Sequence, residues 1–335
     1  MYSEKYHEED LSNLSFLVTG GAGFIGSNLV EYLLKYNAKK VLVLDNLSTG
    51  TLSNLKPFKK HSNFTFIKGD ITNLQDCEHA MQDIDYVLHQ AALGSVPRSI
   101  NNPIASNNAN VNGFLNILVA AKDSSSVKRV VYAASSSTYG DSPSLPKCED
   151  NIGKPLSPYA VTKYVNELYA DVFYKTYGLE TIGLRYFNVF GPKQDPNGAY
   201  AAVIPKFIGK MLKGETITIN GDGEHSRDFT FIENVVQANI KSALSLNKEA
   251  VNQIYNVACG ERINLNQLIG AISNNLKKIE VISTSIIENG AERTGDVKHS
   301  LADISKAFNY IGYNPKYKFK KGIQLTTSWF SNKNR

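Results

Sequence analysis

The chain is 335 residues long, 42% hydrophobic and 20% charged, enough for one large domain or two intimate ones around an ordinary globular core. Its formal charge of +5 comes from Lys and Arg scattered along the chain with no basic block, which argues against nucleic acid and suits a small anionic substrate. No stretch approaches the roughly 18 apolar residues of a spanning helix, so no membrane association is expected.

The N-terminal stretch MYSEKYHEEDLSNL is polar and acidic and lacks the apolar core of a secretory signal, which makes the cytoplasm the expected address. Cys77, Cys148 and Cys259 lie far apart with no C-x-x-C pair, so neither a disulfide framework nor a metal site is signalled. From Ser15 onward, short Val/Leu/Ile-rich runs alternate with helical patterns. These are FLVTG, a helix from about Phe24, VLVLD, FTFIKGD, DYVLHQAA, a helix near Ile104 to Ala121, RVVYAAS and a helix from Pro158. Continuous apolar runs of this kind belong to strands buried on both faces, which predicts a doubly wound parallel sheet.

Past TIGLRYFNVFG the regularity gives way to PKQDPNGAYAAVIP, a Pro/Gly-punctuated loop before a helix near Val203 to Leu212. We place the change to a second, smaller domain near Asn188. The segment RDFTFIENVVQANIKSAL reads as a strand and helix returning to the first domain, so the domains are interleaved: 1–187 with about 229–257, and 188–228 with about 258–335. No internal repeat is present.

Between the first strand and the first helix, Gly20, Gly23 and Gly26 give the spacing G-x-x-G-x-x-G. Glycine there lets backbone approach a pyrophosphate, and the helix N-terminus supplies free N–H groups and a positive dipole end. The next strand ends in Asp45, placed to accept hydrogen bonds from ribose hydroxyls and to repel a 2′-phosphate, which favours NAD over NADP. Later strand ends offer Asp70 and Ile71 near the adenine and small Ala91 and Ala92 along the dinucleotide. Phe24, Ile25, Asn46, Ser48, Thr49, Gly50 and Gln90 complete the expected cofactor path. The fold class is therefore α/β, a Rossmann-type doubly wound parallel sheet with a smaller α/β substrate domain.

In SPYAVTKYVNELYADVF, Ser157 is a good N-cap and Pro158 a good first helical residue, which puts Tyr159 and Lys163 on one helical face. A free tyrosine is a poor base at neutral pH; a nearby ammonium, with a nicotinamide cation, favours its phenolate and lowers its pKa. The pair reads as a general base for a hydroxyl proton. The strand end carrying Ser135, Ser136 and Ser137 faces the same crevice, where the three hydroxyls can donate to the group being oxidised.

The motifs TGGAGFIG, HQAA, SSSTYG, YAVTK, RYFNVFGP and GDGEHSRDF occur in the order seen in the extended short-chain dehydrogenase/reductase family, and the resemblance covers nearly the whole chain. Within that family the sequence is most similar to the NAD-dependent UDP-sugar 4-epimerases of bacterial surface-polysaccharide pathways that act on N-acetylated hexosamines or their uronates. AALGSVPRSINNP, DPNGAYAAVIPKF and GDVKHSLADISKA carry that similarity. The resemblance implies Tyr159 as base, Lys163 as its partner and ribose ligand, and Ser135 to Ser137 as substrate contacts. It also implies Gly94 and Ser95 beside the sugar, Asn188 on the diphosphate, Ala202, Val203 and Lys206 at the nucleotide, Arg227 and Arg293 on the phosphates, and Asp296 near the uridine ribose. Ser300 resembles the position that limits pocket size, and a small residue there leaves room for a 2-acetamido group. The implied reaction oxidises C4 to a ketone and reduces it again on the opposite face, with NAD regenerated in place. A 4,6-dehydratase carries Asp and Glu where Ser136 and Ser137 stand. A homodimer through the two long helices is also implied. UDP-glucose as the substrate, a reductase that releases its NAD, and a non-catalytic NAD-binding regulator on the same fold are the alternatives.

Overall fold

The computed structural model of the chain describes residues 2–197, 201–281, 285–291 and 298–333. In chain order, the first half runs β1 (Ser15–Thr19), α1 (Phe24–Lys35), β2 (Lys40–Asp45), β3 (Phe64–Lys68), α2 (Leu74–Ala80), β4 (Tyr86–His89), α3 (Val96–Asn101), α4 (Pro103–Asn107), α5 (Gly113–Asp123), β5 (Arg129–Ser135), α6 (Pro158–Tyr177) and β6 (Thr181–Tyr186). The second half runs β7 (Val189–Phe190), α7 (Val203–Lys213), β8 (Ile217–Asn220), β9 (Ser226–Arg227), β10 (Thr230–Phe231), α8 (Ile232–Leu244), β11 (Gln253–Val257), β12 (Ile263–Asn264), α9 (Leu265–Lys278), β13 (Ile287–Gly290), α10 (Ser305–Ile311) and α11 (Phe319–Lys333).

Seven strands form one sheet in the order β11-β6-β5-β4-β1-β2-β3, with every pairing parallel. β1, β2, β5 and β6 are buried almost throughout, as continuous apolar runs require when helices cover both faces. On one face α1 and α8 bury Leu29, Val30, Val235 and Val236; on the other α2, α5 and α6 bury Cys77, Ile117 and Phe173. The strand order reverses between β1 and β4, the point at which a doubly wound sheet opens a crevice at its carboxyl edge.

Of the strand and helix expected to return, the helix α8 crosses back and is followed by β11, which joins the sheet beside β6, whereas the strand, β10, pairs with β7 outside that sheet. The remaining elements cluster beyond the crevice. There β8 pairs with β13, β9 with β12, and α7, α9 and α11 pack together.

One expectation changes. The helix foreseen from Ile104 to Ala121 is two helices, α4 and α5, joined by a π-helical turn over Asn108–Asn112. That turn lets the Asn110 side chain bind both backbone groups of Leu93 and donate to Thr162 Oγ1 at 3.1 Å, tying the helix to α6 and the crevice wall. The polar N-terminal stretch is packed down: Tyr2 is fully buried and donates to Asn28 Oδ1 at 2.7 Å, and Tyr6 stacks on Tyr32 with ring centroids 5.5 Å apart.

Candidate active site

The glycines between β1 and α1 are required by contact distances. Gly20 sits at φ +67°, and a Cβ there would come within 2.7 Å of the Ala91 backbone nitrogen. A Cβ on Gly26 would lie 2.2 Å from the Gly20 carbonyl oxygen, so the first turn of α1 rests directly on the loop. Gly23 caps α1 and donates to the Gly20 carbonyl at 3.0 Å. The result is a shallow backbone cradle at a helix N-terminus with no acidic residue in the first turn, a fit for a dinucleotide pyrophosphate.

Asp45 braces the same loop. One carboxylate oxygen accepts from Ala22 N at 2.9 Å and the other from Leu47 N at 2.8 Å, fixing a side chain only 8% exposed. Asn46 donates to Asp70 at 2.8 Å and accepts from Ser48 N, which links two strand ends into one wall. Together these elements enclose a cavity of about 540 Å³. Gly20, Gly23, Phe24, Ile25, Gly26, Asp45, Asn46, Ser48, Thr49, Asp70, Ile71, Gln90, Ala91 and Ala92 all line it. Gly50 stands behind the lining, its Cα so close to Ala22 that a Cβ would fall 2.8 Å from the Ala22 carbonyl carbon.

A second cavity of about 250 Å³ shares the walls Ile25, Gln90, Ala92 and Gly94 with the first, and holds Ser135, Tyr159 and Lys163. Ser157 caps α6 by accepting from Ala160 N at 3.1 Å, and Ser99 Oγ accepts from Tyr159 N at 3.0 Å, so the start of the helix is fixed twice. Lys163 is 3% exposed and donates to the Ala133 carbonyl at 2.8 Å.

Two details differ from the sequence expectation. Burial holds the Tyr159 phenol above its ordinary value, with a hydrogen bond to Ser135 working the other way; the protein alone does not lower it. Burial also pushes the Lys163 ammonium down to about 8, against the pull of the Glu167 carboxylate. The three serines are not equivalent either. Ser135 lines the cavity, Ser137 donates its hydroxyl to Ser135 Oγ at 2.8 Å, and Ser136 and Ser137 belong to a 3₁₀ turn outside the lining. The strand ends at Ser135, and the turn swings the next hydroxyls away.

Beyond β6 a third cavity of about 320 Å³ gathers Asn188, Val203, Lys206 and Arg227. Asn188 has φ 35° and donates its amide to the Asp228 carbonyl, while Arg227 Nη1 reaches the carbonyls of Ser226 and Lys298. Ala202 stands at the N-cap of α7, outside the lining. Ser300 is held to the Ser226 carbonyl by its backbone, away from all three cavities. Ser95 caps α3 at φ 101°, one residue after Gly94. Arg293 and Asp296 lie outside the described residues.

Sequence reasoning missed several members of these walls. His225 and Phe229 flank the single arginine taken from GDGEHSRDF, and His225 Nε2 is buried with no hydrogen-bond partner among the described residues. Tyr186 lines the Tyr159 cavity and closes a triangle with Gln90 and Asn239 through bonds of 3.1, 2.8 and 3.1 Å. The motif RYFNVFG held Tyr186 in view, but only its position over the crevice reveals its use.

Residues 16–258 match the model of the NAD dependent epimerase/dehydratase family. The chain belongs to that family. Its cofactor is NAD, in agreement with the glycine cradle and with Asp45. The UDP-glucose 4-epimerase of Mycolicibacterium smegmatis is 34% identical over 322 residues, covering 95% of this chain and 99% of its own. The UDP-glucuronate 4-epimerase of Thermodesulfobacterium geofontis is 37% identical over 330 residues, covering 94% and 95%. Among solved structures, the UDP-N-acetylglucosamine 4-epimerase from Methanobrevibacter ruminantium M1 in complex with UDP-N-acetylmuramic acid superposes with a TM-score of 0.87 at 43% identity, over 96% of this chain and 99% of the other. No helix among the described residues of this family member is long and apolar enough to cross a membrane.

Proposed function

We propose that the protein inverts C4 of a UDP-hexose, interconverting UDP-N-acetylglucosamine and UDP-N-acetylgalactosamine or the corresponding uronates. The observation that carries this reading is the meeting of Tyr159, Lys163 and Ser135 in one cavity that shares its walls with the dinucleotide cradle. NAD, when bound, supplies an acceptor for the C4 hydride and gives the same hydride back. Tyr159 takes the proton of the C4 hydroxyl as the ketone forms and returns it on reduction. Ser135 holds the C4 oxygen, and the Lys163 charge favours the phenolate that burial alone opposes.

The polar groups Lys206 and Arg227 sit in the cavity beyond β6, which shares no lining residue with that of Tyr159, where they would hold the diphosphate and leave the hexose free to turn. Serine at 136 and 137 supplies no acid or base for eliminating water, which favours inversion over dehydration. The N-acetylated ligand of the 43% identical structure supports tolerance of a 2-acetamido group. The sugar nucleotide lies across 188–228 and about 258–335, with Arg293 and Asp296 as further contacts. We also place the protein in the cytoplasm as a homodimer. Val161, Leu168 and Val172 are 48%, 50% and 52% exposed on α6, a stripe at helical spacing, and Ile104 of the neighbouring α4 is 74% exposed.

The test is Tyr159→Phe. C4 inversion falls by about 10²-fold to 10⁴-fold while NAD stays bound; near wild-type turnover would remove Tyr159 from the role of base.

A further inference from the structure

Lys163 presents a physical problem that the site described so far does not answer. An ammonium that is 3% exposed and bonded to one carbonyl loses most of its hydration, and burial favours its neutral form. The groups facing it come from four elements. On α6 they are Tyr159 and Glu167. On β4 there is His89, which is buried, bonded through Nδ1 to Thr19 at 2.8 Å and pushed down to about 3 by burial and then by Lys163 itself. On β5 there are Ser135 and the Ala133 carbonyl, and on β6 Tyr186, with Arg185 of the same strand reaching Glu167. Among these described residues Glu167 is the single anion.

Glu167 lies one helical turn beyond Lys163, on the same face, at a Cβ separation of about 5–6 Å. Its carboxylate is 7% exposed and held in a fork by Arg185, with Nε at 2.9 Å and Nη2 at 2.8 Å. Arg185 is itself fixed, donating Nη1 to the Glu149 carbonyl at 2.8 Å and lying 4.8 Å over the Tyr139 ring. In the β5/β6 register Arg185 pairs with Ala134, the neighbour of the residue that receives Lys163. The helix is thus clasped to two adjacent strands at successive turns.

We propose that Glu167, braced by Arg185, is a positioning residue for this reaction, its buried carboxylate keeping the Lys163 ammonium charged and α6 in register against β5 and β6. The inference rests on the assignment of Tyr159 and Lys163 to catalysis. A guanidinium fork suits the task, since it fixes the carboxylate in a plane without sending a second flexible cation toward Lys163.

The experiment follows Lys163 directly, by NMR titration of ¹³Cε-lysine protein, the signal assigned with Lys163→Arg. The wild-type midpoint falls near 8. In Glu167→Gln, with Arg185 kept, proton affinity drops about tenfold and the midpoint moves to lower pH; in Glu167→Gln/Arg185→Met, which removes the pair's anion and cation together, the midpoint moves the same way by less. Glu167→Asp restores most of it. Where turnover is measured, the alkaline limb of kcat moves the same way while KM for the sugar nucleotide changes less than about twofold. A Lys163 midpoint unmoved in folded Glu167→Gln, or unmoved in the double variant where the single one does not fold, overturns the inference. Absence of any sugar inversion by the wild type overturns the proposed function instead, and the titration still decides the role of Glu167.

Discussion

Gly26 shows how a single atom decides the chemistry of a site. A methyl group there would press within 2.2 Å of the Gly20 carbonyl oxygen, a distance that packed proteins do not tolerate, so Gly26→Ala must push α1 off its loop. We expect protein purified with that substitution to carry little NAD, and to be destabilised by about 1–3 kcal/mol; ultraviolet absorbance of the released nucleotide and thermal unfolding check both, and a full complement of NAD would refute the cradle. Residues of this kind were legible because local backbone physics constrains them: a glycine triplet between strand and helix, a carboxylate at the next strand end, and Tyr159 with Lys163 four apart after an N-cap. His225, Phe229 and Glu167 were not, because their meaning depends on which elements they face. The serine run was half legible. That a hydroxyl meets Tyr159 could be foreseen, but not that the strand would end at Ser135 and leave Ser137 to support it.

At the scale of elements, α6 does most to join fold and site. Ser157 starts it, Gly178 ends it in a left-handed conformation, and its buried face carries Lys163, Asn166 and Glu167 in three consecutive contacts with neighbouring elements. Asn166 donates to the Asn110 carbonyl at 2.7 Å, so the π-helical turn between α4 and α5 is held by the helix that bears Tyr159 and Lys163. Such a turn leaves no mark in hydrophobic periodicity, which explains why one continuous helix was expected. The opposite face of α6 is apolar and uncovered. Leu168→Asp, at a residue 50% exposed, should convert a dimeric protein to monomers in sedimentation velocity, with NAD content unchanged. A wild-type protein that sediments as a monomer at the same concentration would contradict the dimer.

For the whole molecule, the order of the strands places the crevice. Reversal between β1 and β4 opens the carboxyl edge of the sheet, and everything assigned to the cofactor collects there. The fold class was legible from the succession of apolar runs, and the return of α8 could be foreseen from one strand-helix pattern, but not that its strand β10 would pair with β7 and leave the sheet's edge to β11. The pairing of β8 with β13 and of β9 with β12 could not, since short strands from distant segments carry no local signal. In the proposed function, the cavity of Lys206 and Arg227, which shares no lining residue with that of Tyr159, would hold one end of the substrate and leave the other to turn. The measurement closest to that claim is an NMR time course of anomeric protons, with purified protein and no added NAD, on UDP-N-acetylglucosamine, UDP-glucose and UDP-N-acetylglucosaminuronate. The account predicts that the C4 epimer of an N-acetylated sugar appears while NAD remains on the protein. Failure to invert C4 of all three, even with NAD supplied, would contradict it.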